Sequence, residues 1–69
     1  SPGWLINAAD SRIAADPAET AQRLFMLSKV YETVWPDPIK AGKVLDKVIL
    51  ILENPQLNGK FNPFTESFE

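Results

Sequence analysis

Apolar residues recur at helical spacing through most of this chain, and the pattern fails only near its end. The clearest stretch follows Asp16-Pro17. At about 100° per residue from Pro17, Leu24, Leu27, Tyr31, Val34 and Trp35 fall within about 100° of arc, and Gln22, Lys29, Glu32 and Thr33 lie roughly opposite. Asp16 supplies an N-cap, Pro17 suits the first helical position, and Glu19 stands where a capping box places its acid. The spacing predicts a helix over 17–35.

Trp35-Pro36-Asp37-Pro38 reads as a stop and a restart: Pro36 breaks one helix, Asp37 caps the next and Pro38 opens it. The third helix is placed over 38–53, ending at Asn54-Pro55, with Ala41, Val44, Leu45, Val48, Ile51 and Leu52 facing inward. Gly42 weakens it by up to about 1 kcal/mol against alanine and leaves room for a close neighbour. A first helix is placed over 3–15 on looser spacing, with Trp4, Leu5, Ala8, Ala9 and Ile13 as its apolar set and Ser1-Pro2 as a start. The two Asp-Pro starts stand 21 residues apart, and at that offset Leu24 meets Leu45, Leu27 meets Val48 and Val30 meets Ile51. Two similar amphipathic helices joined by a tight turn make an antiparallel hairpin.

A strand reading competes over 47–52, where the run Lys47 to Leu52 is short and β-branched and Asn58-Gly59 is a hairpin dipeptide. Pro63 disfavours a regular partner strand near 60–68, and the helical pattern from Ile39 runs unbroken through 47–52. Residues 60–69 differ in character, with Phe61, Phe64 and Phe68 in ten positions. The segment is too aromatic for an ordinary disordered tail and too short to fold alone, so it is expected to lie across a groove of its own domain or of a partner. The expected class is all-α: a three-helix bundle, or a helical hairpin plus an N-terminal helix, over 1–59, with an extended aromatic C-terminal arm over 60–69.

Length raises the question of what stabilises such a fold. A chain of 69 residues buries only about 60% of its unfolded surface, and a core of this size supplies about 3–5 kcal/mol. There are no cysteines and no histidines, which excludes a disulfide and leaves zinc only carboxylate ligands. The remaining device is a protein partner or a homo-oligomer, unless the helices pack well enough by themselves. Cysteine-free composition fits a reducing compartment, and a cytoplasmic location is expected. The net charge of −2 and pI near 5.0 make no electrostatic case for nucleic acid. The longest apolar run, Val48 to Leu52, is far short of the roughly 20 residues of a spanning helix. Nothing reads as a signal peptide. The chain opens on Ser1-Pro2 and not Met, which leaves open a processed product or an excised domain.

Candidate chemistry is sparse. Without His or Cys the commonest general base and thiol nucleophile are gone. Asp10, Asp16, Glu19 and Asp37 sit mainly where helix termini favour negative charge. Gly3, Gly42 and Gly59 are too far apart for a phosphate loop. No catalytic, cofactor-binding or metal-ligating residue is expected. Lys40, Lys43 and Lys47 form a basic stripe at i, i+3, i+7. It reads either as a docking face for an acidic partner or phosphates, or as a solvated edge whose stems cover the core rim. Trp4 and Trp35 read as core or rim anchors, with partner hot spots as the alternative.

Residues off the main stripes are the better interface candidates: Phe25, Met26, Val30, Ile39 and Leu50, together with Phe61, Phe64 and Phe68 of the arm. The competing arrangement has the first helix and the tail covering them. Asn62-Pro63-Phe64 resembles the NPF tripeptide ligand of EH domains, which are eukaryotic endocytic adaptors; over these three residues the resemblance implies a groove-binding peptide. The expected function is a non-catalytic interaction or assembly module, self-associating or a subunit of a larger complex. The alternatives are a small DNA-binding regulator using Lys40, Lys43 and Lys47, and an accessory subunit or fragment of an enzyme whose active site lies elsewhere.

Overall fold

Both Asp-Pro pairs start helices as the sequence indicates. In the computed structural model, which describes residues 3–12 and 16–69, α1 spans Gly3–Ala8, α2 Pro17–Thr33 and α3 Pro38–Glu53. A 3₁₀ turn at Pro55–Leu57 follows, then two short strands, β1 (Phe61–Asn62) and β2 (Ser67–Phe68). The chain is mostly helical, with one small antiparallel sheet in which Phe61 pairs with Phe68 and Asn62 with Ser67. The side chain of Asp16 accepts the Glu19 N–H at 2.9 Å and that of Asp37 accepts the Lys40 N–H at 3.1 Å. Each satisfies one amide that a helix start leaves unpaired. Segment 47–52 is helical throughout.

Four expectations need correction. The first helix does not run over 3–15; it ends at Ala8, and Ile13 and the Ser1-Pro2 start lie outside the described residues. The Asp10 carboxylate explains the early stop. It accepts the Arg12 main-chain N–H at 3.0 Å, a local bond that competes with helix continuation. The freed Ala8 carbonyl accepts from Arg23 Nη1 at 3.0 Å, tying the end of α1 to α2.

The second helix ends at Thr33, not Trp35. Val34 N–H and Trp35 N–H both donate to Val30 O, and Asp37 N–H donates to Tyr31 O at 2.7 Å, which turns the chain across Pro36. Val34 and Trp35 therefore leave the inward stripe and are exposed, as is Trp4 at 75%.

The inward face of α3 is also narrower than expected. Ala41, Val44 and Ile51 are buried and Leu45 and Val48 half-buried, whereas Leu52 is exposed. Val44, Val48 and Ile51 pack with the α2 residues Leu24, Leu27 and Tyr31 in the core, and Leu52 is not among them.

Finally, residues 60–69 are not an extended arm. They double back as a hairpin turning through residues 63–66, with Glu66 in the left-handed region at φ 61° and its N–H on Asn62 O at 2.8 Å. The radius of gyration, 10.7 Å, equals the roughly 11 Å of a compactly folded chain of this length, which leaves no room for a projecting segment.

The hairpin completes the core. Leu5, Ala9, Leu24, Leu27, Tyr31, Ala41, Val44, Ile51 and Phe61 form one buried cluster, against which Ile6, Val30, Val48, Leu57 and Phe68 pack. Phe61, 1% exposed, meets Phe68 with ring centroids 5.2 Å apart in a tilted pair. Ser11 Oγ accepts the Phe61 N–H and donates to the Phe61 carbonyl, both at 3.2 Å. One buried hydroxyl thus satisfies the two main-chain groups that β1 directs away from β2.

Candidate functional site

Buried polar side chains are spent on holding the fold. The Asp10 carboxylate accepts from Arg12 Nε and Nη2, and Arg12 Nη1 reaches Glu69 Oε2 at 3.4 Å. Those Arg12 bonds hold the Asp10 carboxyl below its usual range, outweighing the opposing effect of burial, and Asp10 in turn raises the Arg12 guanidinium. Thr20 donates to Asn58 Oδ1 at 2.7 Å, fixing the turn before β1 to α2. Asn62 receives the Phe64 N–H on Oδ1 at 2.9 Å and gives Nδ2 to Glu69 at 2.8 Å. Every described buried side-chain nitrogen and oxygen has a partner. Among the described residues no cluster of acids is placed to hold a metal ion, and no helix is long and apolar enough to cross a membrane.

The lysine stripe divides. Lys40 Nζ lies 5.7 Å from the Tyr31 ring centroid and 3.9 Å from Glu66 Oε1. Lys47 Nζ lies 6.0 Å from the Phe68 ring centroid. These two reach over the rim between α3 and the hairpin, their stems covering apolar surface. Lys43 is exposed and makes no ion pair among the described residues.

The structure separates the candidate interface residues into two groups. Phe25, Met26, Ile39, Leu50 and Phe64 are exposed, with Ile39 the most exposed large apolar side chain of α3 at 72%. Phe25 is partly roofed by Lys29, whose Nζ stands 5.1 Å from the ring centroid. Val30 and Phe68 pack half-buried against the core, and Phe61 is inside it. In Asn62-Pro63-Phe64 only Phe64 projects, at the hairpin tip; Asn62 and Pro63 are buried. The tripeptide therefore cannot lie along a groove unless the hairpin opens.

Ile49 is a further outward-facing position, and Leu52, Val34 and Trp35, expected inward from their spacing, are exposed as well. A signal for two of them was present: Pro38, Gly42, Leu45, Ile49 and Leu52 follow one another at steps of 4, 3, 4 and 3 residues, a second apolar row beside the one that α2 covers. Only the placement of α2 shows which row is covered. The result is a helical hairpin with apolar side chains on the outward faces of both helices, and with its polar interior fully paired. Compared with known proteins, the chain matches no family model, no curated protein and no solved structure.

Proposed function

We propose that this domain is a non-catalytic assembly module whose outward faces of α2 and α3 dock onto protein. One observation carries the reading: with the core complete, Phe25 and Met26 on α2 and Ile39, Ile49, Leu50 and Leu52 on α3 still face solvent. Large apolar side chains left exposed on both helices of so small a domain support a reading as interaction surface, and burying them would supplement a core worth about 3–5 kcal/mol.

The test is recovery of the protein from its native source with mass measurement of the assembly, repeated with Phe25→Ser, Ile39→Gln, Leu50→Gln and Leu52→Gln. The expected result is a homomeric or heteromeric complex that persists in high salt and is weakened by at least one substitution. Recovery as a monomer alone, or a complex indifferent to all four, refutes the reading.

A further inference from the structure

Four exposed residues of α3 lie on one line along its outer side. Ile39, Lys43, Asp46 and Leu50 follow at steps of 4, 3 and 4 residues, which places them within about 60° of arc over roughly 16 Å of helix. All four are exposed, because α2 occupies the opposite side of α3, where Ala41, Val44 and Ile51 are buried. Neither Lys43 nor Asp46 forms an ion pair among the described residues, although Lys40 and Lys47 on the same helix have aromatic rings under them and Lys40 also an acid.

The row is self-complementary. Its spacing reads the same in both directions, and its chemistry runs apolar, cation, anion, apolar. Reversing a second copy about a point between Val44 and Leu45 sets Ile39 against the partner's Leu50, Lys43 against the partner's Asp46, and the same two contacts again by symmetry. A parallel pairing would instead stack Lys43 on Lys43 and Asp46 on Asp46, and like-charge contacts of this kind are disfavoured. Gly42, beside the row, has nothing within 4 Å of where a Cβ would stand, so no side chain at that position holds a second helix away.

We infer that the partner of the α3 face is a second copy of this chain, paired antiparallel along α3 through the Ile39–Lys43–Asp46–Leu50 row. The inference rests on the assembly reading above and specifies its occupant. Charge sets the direction of pairing, and the two Ile39–Leu50 contacts close its ends.

Sedimentation equilibrium of the purified chain tests it, from micromolar to near-millimolar concentration at low and high salt, with circular dichroism confirming the fold of each variant. The chain is expected to dimerise, more weakly at high salt. Lys43→Asp alone and Asp46→Lys alone each raise Kd about tenfold, since the two-fold makes every replaced charge count twice. The double exchange Lys43→Asp/Asp46→Lys restores the row in mirror order and returns Kd to within about threefold of the original. A chain that stays monomeric overturns the inference, as does a dimer indifferent to the single reversals or one that the double exchange fails to rescue. If the chain is monomeric alone yet forms a heteromeric complex weakened by Ile39→Gln or Leu50→Gln, self-pairing fails while the assembly reading stands.

Discussion

Replacing Ser11 with alanine removes one oxygen that serves both main-chain groups of Phe61. Ser11 is 1% exposed and its Oγ lies 3.2 Å from each of the two Phe61 atoms. Among the described residues those two groups have no other main-chain partner outside the strand pair. Each bond contributes about 0.5–1.5 kcal/mol net, and a buried group left unpaired costs about 1–3 kcal/mol. The loss expected for Ser11→Ala is therefore about 2–4 kcal/mol, most of the roughly 3–5 kcal/mol available to a core of this size. Urea unfolding followed by circular dichroism reads it as a lower midpoint at unchanged slope. The thermal midpoint falls by about 10 °C or more. Hydrogen exchange gives the local check: the Phe61 amide is protected in the parent chain and exchanges at nearly the rate of an exposed amide in the variant. A loss below about 0.5 kcal/mol, or a Phe61 amide unprotected in the parent, refutes the two-way role of Ser11.

Other outcomes follow from the same contacts. Deleting residues 60–69 removes Phe61 from the core cluster, a loss comparable to the about 3–5 kcal/mol of a buried Phe→Ala change, so the truncated chain loses its cooperative thermal transition in calorimetry. Gly42 and Gly59 respond oppositely to substitution. Gly42→Ala stabilises α3 by up to about 1 kcal/mol because the added methyl meets open space. Gly59→Ala costs about 1–2 kcal/mol because its φ of +88° disfavours any side chain. Denaturant midpoints of both variants decide it. Asp10 carries an acid dependence. Its folded carboxyl titrates below the ordinary value near 3.9, so its contribution is complete above that value and fades as pH falls through the lower, folded one. In Asp10→Asn that part of the acid-side slope of stability disappears, and the gap between parent and variant narrows below about pH 4 in pH-dependent urea titrations.

Helix α3 and the start of α2 were legible from local grammar. Asp16-Pro17 and Asp37-Pro38 act over three or four residues, and capping is a local interaction that needs no distant partner. The mostly helical class follows from the same short-range pattern, as does the helical state of 47–52. Distant contacts decided the rest. The segment after the first helix is held where Ser11 takes the Phe61 main chain, a contact 50 residues away in sequence. Residues 60–69 fold into a hairpin because Phe61 finds space between the helices and Glu69 reaches both Arg12 and Asn62. Periodicity marks two apolar rows on α3 without saying which one α2 covers, and α2 covers the row of Val44 and Ile51. That choice left Ile49 and Leu52 exposed, as it left Ile39 and Leu50. The surface available to a partner is what remains after the core is packed, and packing is settled in three dimensions.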